Sequence, residues 1–479
     1  MPHKLFGANA RPKLCCIARA VGVALWLSLF MAAQAAAADQ PNIVYLIADD
    51  LGWKDVGFHG GKIQTPNLDR LAAGGAVLNA FYAQPFSTQT RAALMTGRYP
   101  MRYGLQTATI LPSSQYGLPT DERTLAQALK EAGYYTAFVG KWQLGHAKQE
   151  FWPTRRGFDY FYGSLTGQVD VQLKKTAKAD WHRGEQLLKE DGYVTALLGK
   201  DATNVIDKHN PERPLFLLVS FTAPAAPYGA PKQLVDKYRD ISDDALRNYA
   251  AAVTALDQTI GEVVTALERR KMLDNTLIVF QSDNGGALPT KFATGDADVS
   301  SFAADNGIFR EGRGSLYEGG VRVVALASWP GRIKPKSVVT DMLHATDMYA
   351  TLLKLAGAPL EQAKKVDGLD QWQALADGRP SQRKEVLIDV EEFRGALRVG
   401  EWKLVVHAAL PSKVELYDVV NDPEEAANVA DRYPERTKQM LSRLGDYAYE
   451  MVPAKYLEEL VATKSGQTPI FWRYNPIRK

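Results

Sequence analysis

An α/β architecture, with a mostly parallel central sheet flanked by helices and a smaller C-terminal antiparallel α+β domain, is expected for this chain of 479 residues. Three observations carry that expectation. Several runs are apolar and β-branched without polar alternation, as strands covered on both faces are. These runs alternate with amphipathic stretches that open on capping residues. After about residue 370 the pattern changes to short, closely spaced strands separated by turn residues.

The run NIVYLIADD (42–50) reads as a buried parallel strand that ends in two acids. Next comes a helix over TPNLDRLAAGG, with Thr65 as N-cap, Pro66 in the first helical position and glycines at the end. TLAQALKEAGY (124–134) repeats that logic, and YTAFVGK (135–141) follows as a strand. PLFLLVSF (214–221) is a third strand, and 243–270 is a long amphipathic helix. TLIVFQSDN (276–284) and VRVVALAS (321–328) complete the set of expected strands in the large domain. EVLIDV, ALRVG, WKLVVH and VELYDV then supply the short strands of the small domain, with a helix over 434–450. The chain divides into a leader (1–38), a large α/β domain (39–369) and a small α+β domain (370–479).

The leader reads as a signal for export. Lys4, Arg11, Lys13 and Arg19 precede the apolar run AVGVALWLSLFMAA, and alanines before Asp39 offer a cleavage site. The run is short for a membrane span, so an exported protein, periplasmic or secreted and without a stable membrane anchor, is expected. Without those four cations the chain has 53 basic against 54 acidic residues, which removes any general attraction to nucleic acid. Hydrophobic residues make up 46% of the chain, enough for a core and too many for disorder. Both cysteines, Cys15 and Cys16, precede the cleavage site, so the mature chain has no disulfide, thiolate ligand or cysteine nucleophile.

Two strands end in hard oxygen donors, Asp49-Asp50 and Asp283-Asn284. Ligand sites collect at the carboxyl ends of parallel strands, and these donors suit Ca²⁺ or Mg²⁺ and not Zn²⁺. On the residues alone, turn and capping chemistry is an equal alternative.

Taken in order, ADDLGWKDVGFHG, TPNLDRLAAGG, RAALMTGRYPMRYGLQ, GKWQLGH, PTRRGFDYFYG, SDNGG and GSLYEGGVR resemble the sulfatase family of the alkaline-phosphatase superfamily, nearest to the arylsulfatase B (N-acetylgalactosamine-4-sulfatase) type. The resemblance runs from about residue 40 to 450. It implies a divalent cation, usually Ca²⁺, at Asp49, Asp50, Asp283 and Asn284. It places the nucleophile at Ser87, as formylglycine made from Cys or Ser, with Arg91 as orienting cation and Lys141 and Arg313 as oxyanion contacts. His146 and His182 become candidate substrate contacts.

The chain departs from the family pattern in several places. The segment Ser87-Thr88-Gln89-Thr90-Arg91 has Gln89 and Thr90 where the motif carries proline and serine. Gln143 and Ala225 stand where the family carries histidines, and Arg313 where it carries lysine. Neither glutamine nor alanine exchanges a proton near neutral pH. Three readings remain open at this point. One is a sulfatase acting on a sulfated small molecule or glycan, another a hydrolase of phosphate or sulfate esters with unmodified Ser87, and the third a non-catalytic binder of an anionic ligand.

Overall fold

The computed structural model describes residues 40–465, apart from 177–178, 289–302 and 409; the expected leader lies outside the described residues. In chain order the large domain contains β1 (Asn42–Asp49), α1 (Pro66–Ala73), β2 (Ala76–Leu78), α2 (Ser87–Thr96), α3 (Leu125–Glu131), β3 (Tyr135–Lys141), β4 (Tyr160–Ser164), β5 (His182–Arg183) and β6 (Gln186–Leu187). It continues with α4 (Val194–Lys208), β7 (Leu215–Pro224), α5 (Asp244–Arg269), β8 (Thr276–Ser282), α6 (Glu318–Val321), β9 (Ala325–Ser328), β10 (Ser337–Val339) and α7 (Ala345–Leu355). These strands form one ten-stranded sheet in the order β10-β2-β9-β8-β1-β7-β3-β4-β5-β6. Its centre, β8-β1-β7-β3-β4, is parallel throughout.

The continuous apolar runs have the double coverage expected of them. On β1, Ile43, Tyr45 and Ile47 pack toward α2 and α7, in a core with Leu94, Met95, Met348 and Leu352. Val44, Leu46 and Ala48 point the other way, into a core with Leu198, Val253 and Leu256 of α4 and α5. The period-two alternation of a strand therefore feeds two cores. Leu46→Ala would cost about 2–5 kcal/mol, through lost burial and a void in the core beneath α4 and α5.

Two local expectations are corrected. Thr65 does not cap α1 with its side chain. Its Oγ1 instead accepts from the Gly57 amide (2.8 Å) and donates to Asp69 (3.2 Å), tying the preceding loop to the helix. The run 321–328 is not one strand. Val321 closes the helical turn α6, held by the Arg322 amide on the Glu318 carbonyl (2.8 Å), and only Ala325–Ser328 pairs with β8, antiparallel. By contrast, Thr124 and Gln127 form a reciprocal capping box at the start of α3.

The small domain is a four-stranded antiparallel sheet, β11 (Glu385–Val390), β12 (Arg394–Val399), β13 (Trp402–His407) and β14 (Lys413–Asp418), followed by α8 (Pro434–Glu450). One face packs on Met440 and Leu444 of α8; the other packs on Tyr82, Leu316, Tyr317 and Val321 of the large domain. Within that second interface Lys403, fully buried, lies 3.0 Å from Glu318 and 2.9 Å from Glu425. Burial works to raise the Glu318 carboxyl, but Lys403, Arg322 and Arg398 outweigh it and hold it down at about 2. Burial, reinforced by Glu318 and opposed by Lys403, pushes Glu425 up to about 7. The joint matters for the site, because α6 is also the partner of the loop after β8: the Gly285 amide donates to the Gly320 carbonyl at 2.9 Å. A Cβ on Gly285 would meet the Gly319 carbonyl at 1.7 Å, so the loop can approach α6 this closely only as glycine.

Candidate active site

The site forms where β1, β3 and β8 end. In-register pairing of Ala48 with Ser282 brings Asp49-Asp50 beside Asp283-Asn284, although more than 200 residues separate them. Asp50 takes a left-handed conformation (φ 63°), one that aspartate tolerates better than most residues and that turns the chain away from the sheet. Side-chain oxygens of Asp49, Asp50 and Asp283 all lie within 4.8 Å of one another, and all three residues are buried.

Each carboxylate has its own cation. Lys141 Nζ lies 2.6 Å from Asp49 Oδ2, Arg91 Nη2 lies 2.8 Å from Asp283 Oδ2 and Arg313 Nη1 lies 2.9 Å from Asp50 Oδ2. Asn284 Nδ2 donates to Asp50 Oδ1 at 2.7 Å. Burial raises the Asp49 carboxyl, but Lys141 and Arg91 outweigh it and hold it below the ordinary range. Burial and the Asp49 charge push Asp283 up to about 7 against Arg91. Asp50 is raised as well, first by burial, with Arg313 opposing and Asp49 adding. Three carboxylates crowded together, two of them raised, with an amide oxygen beside them, are a donor set that a hard divalent cation relieves. The residues present therefore fit the cation that the resemblance implies.

Ser87 is the first residue of α2 and is fully buried; its Oγ lies 3.3 Å from Asp49 Oδ1 and 3.3 Å from Asn284 Oδ1. A helix start supplies free backbone N–H groups and a positive dipole end, which favour an anion at that point. Gln89 takes a structural part. Its Oε1 accepts from the Phe86 amide at 3.1 Å, capping α2, while its Nε2 donates to the Gln106 carbonyl. Arg91 also donates to the Lys141 carbonyl (3.2 Å) and to Ser220 Oγ, so one guanidinium ties α2 to β3, β7 and β8.

Gln143 and Ala225 border the same place. Gln143 follows β3 in a left-handed conformation (φ 53°), its carbonyl accepts from Thr88 Oγ1 (3.2 Å), and its buried side-chain oxygen has no hydrogen-bond partner. Ala225 directly follows Pro224, the residue opposite Asp49 in the sheet, and is half-buried. The remaining candidates lie further out. His146 sits at the surface with Nε2 2.9 Å from the Pro112 carbonyl. His182 is buried on β5, its Nδ1 3.1 Å from Asp180 Oδ1.

Sequence reasoning missed Asp180. It accepts from Ser164 Oγ (2.8 Å) and from the Thr166 amide (2.6 Å), and so shapes the turn whose Gly167 packs on the Lys141 stem. No motif marked it; a lone acid in a loop gives a reader no signal.

A model of the sulfatase family matches residues 41–358, and a model of the C-terminal part of N-sulphoglucosamine sulphohydrolase matches 307–449. Mouse arylsulfatase J is 32% identical over 88% of this chain and 78% of its own length. Human arylsulfatase A is 31% identical over 87% and 89%. Among solved structures, Ps i-CgsB in complex with k-i-k-neocarrahexaose superposes with a TM-score of 0.80 at 30% identity, covering 90% of this chain and 98% of the other. PsFucS1 sulfatase from Pseudoalteromonas sp. gives 0.72 at 28% identity, covering 88% and 93%. The similarity spans both domains, and the chain belongs to the sulfatase family.

Proposed function

We propose that this protein hydrolyses a sulfate ester carried on a saccharide, with the oxygen on Cβ of residue 87 as the attacking atom. The observation that carries the reading is the position of Ser87 Oγ, 3.3 Å from both Asp49 and Asn284 at the start of a buried helix. The saccharide rests on the relatives: one includes N-acetylgalactosamine-6-sulfatase in its name, and one solved structure holds a neocarrahexaose.

Charge arithmetic supports a divalent cation. Lys141, Arg91 and Arg313 balance Asp49, Asp50 and Asp283, so the residues alone offer an anionic ester no net attraction. Asp49, Asp50, Asp283 and Asn284 would hold Ca²⁺ or Mg²⁺, which supplies the missing positive charge and acidifies a neighbouring hydroxyl. Ser87 O–H donates to Asp49 and Asn284, which leaves an Oγ lone pair to face the ester's sulfur. The S–O bond to the alcohol breaks as the Oγ–S bond forms, the proton ends on the departed alcohol through solvent, and water then cleaves the sulfo-Ser87 bond to release sulfate. Lys141 and Arg313 face the sulfuryl oxygens and stabilise charge that grows there. Arg91, held on Asp283, fixes the pitch of α2 and acts as a positioning residue. Gln143 can donate a hydrogen bond to the bridging oxygen but cannot protonate it. Esters whose alcohol leaves easily as an anion are therefore the substrates this chain handles best.

Gln143 and Ala225 favour a second reading, in which the pocket binds a sulfate ester without turning it over. Ser87→Ala separates the two: under hydrolysis it abolishes product, and under binding alone the wild type also makes none while both proteins retain the ester. The mass of the tryptic peptide 71–91 from the native host reports whether residue 87 carries serine or formylglycine. The leader-like segment supports an exported location.

A further inference from the structure

Tyr135 opens β3 and Lys141 closes it, so roughly 20 Å of strand separates them at about 3.3 Å per residue. At the Tyr135 end is a cavity of about 410 Å³, lined among others by Tyr135, Tyr160, Arg183, Lys208, His209 and Arg213. It lies at the amino ends of β3 and β4, at the opposite end of the strands from the Ser87 site.

Its walls are built from fixed groups. Tyr160 Oη donates to Asp201 Oδ1 at 2.7 Å, and Arg183 Nη2 lies 2.9 Å from Asp201 Oδ2 with its guanidinium 4.7 Å over the Tyr162 ring. Arg213 donates from Nε to the Gly133 carbonyl (3.2 Å) and from Nη2 to the Tyr134 carbonyl (2.8 Å), with its guanidinium 5.9 Å from the Tyr135 ring. His209 is buried with Nε2 2.7 Å from the Arg213 carbonyl. Asp201 is held by Arg183, and Asp207, next to Lys208, is held by Arg269 at 2.7 Å. Among the described residues Lys208 has no ion-pair partner, and Arg213 keeps Nη1 free. Two uncompensated cations therefore flank two tyrosine rings, with the carboxamides of Asn204 and Asn210 at the rim.

The geometry points to a second binding site here, for a sugar ring bearing an anionic group, sulfate or carboxylate, distinct from the hydrolytic centre. Lys208 and Arg213 take the anion by charge-assisted hydrogen bonds. The tyrosine faces take the apolar face of the ring, and the carboxamides match its hydroxyls. Such a site would hold one part of a long substrate while another part reaches Ser87.

Hydrogen exchange of the full chain, with chondroitin 6-sulfate tetrasaccharide as probe, tests this locally and without reference to turnover. Protection of amides in 204–213 is expected with the sulfated probe and not with uncharged chitotetraose, and unsulfated chondroitin tetrasaccharide, which keeps its carboxylates, separates carboxylate from sulfate as the group bound. Lys208→Glu, at an exposed helix end, should raise the probe concentration needed by about tenfold or more, as loss of a charge-assisted bond does. Arg213→Ala should do likewise. The inference is overturned by an absence of protection there, by protection unchanged in both variants, or by inorganic sulfate reproducing it at the same concentration. Protection of peptides around Ser87 is a separate readout, so failure of the hydrolytic reading and failure of this one are distinguishable.

Discussion

Lys141 Nζ lies 2.6 Å from Asp49 Oδ2, and the other oxygen of the same carboxylate lies 3.3 Å from Ser87 Oγ. One buried acid thus joins Lys141 to the Ser87 hydroxyl, the two groups that the proposed reading assigns to the sulfuryl oxygens and to the attack. Several measurable consequences follow from that geometry and from what is missing around it.

Under the proposed mechanism, with no histidine at 143 or 225, the leaving alcohol should depart largely unprotonated. Rates should fall steeply as the alcohol becomes a poorer leaving group, so aryl sulfates outpace alkyl sulfates. Gln143→His combined with Ala225→His should raise kcat on alkyl sulfates by roughly tenfold or more, within the usual range for general acid catalysis, and leave aryl sulfates little changed. A flat dependence on leaving-group pKa in the wild type would show that a proton donor is already in place.

A divalent cation bound only by the folded chain stabilises it. Calcium at one hundred times its dissociation constant should add about 2.7 kcal/mol, seen as a raised thermal midpoint. Asp50→Asn and Asp283→Asn should each abolish most of that calcium-dependent rise. Chelation should lower both activity and midpoint in the wild type. An unchanged midpoint with calcium would remove the metal from the account.

Lys403→Met leaves Glu318 and Glu425 buried without their shared cation. Loss of one partner from a buried ionic cluster costs about 3–5 kcal/mol, so the denaturation midpoint should fall clearly. Because Glu318 begins α6, which holds the Asp283–Asn284 loop, activity should drop as well, although Lys403 touches no ligand. A purely local effect would lower stability and spare kcat/KM.

His344 is fully buried, and its Nδ1 accepts from the Thr346 amide at 3.1 Å; burial, with Arg383 adding, drives its pKa well below 6.5. Below about 6.5 the unfolded chain protonates this imidazole and the folded chain does not. Its stabilising contribution is therefore complete above that pH and is lost as pH falls. His344→Asn keeps a capping acceptor and removes the titration. The stability difference between wild type and variant, from urea midpoints, should narrow on going from pH 7.5 to pH 5. A widening difference would contradict the sign.

Much of this was legible in the sequence. Continuous apolar runs announced strands covered on two faces, and β1, β3, β7 and β8 are just such strands. The acids were legible because they stand at strand ends, where parallel pairing must bring them together. Other features were hidden because they depend on contacts between distant segments. The turn at Glu318 displaced the start of an expected strand because its partners, Ala83 on the Val321 carbonyl and Glu425 on the Glu318 amide, come from elsewhere in the chain. Gln89 read as a lost proline and not as a helix cap. Asp180 carried no local pattern, since its role depends on Ser164 and Lys141 lying on adjacent strands.

The most direct test of the account is hydrolysis of 4-nitrophenyl sulfate by purified wild type and Ser87→Ala, side by side with calcium present. The wild type should release nitrophenol, and Ser87→Ala should fall by at least about a thousandfold with its fold intact, as loss of a nucleophile does. Equal rates in the two proteins, or no release by the wild type, would contradict the claim that residue 87 carries the attacking oxygen of a working sulfatase.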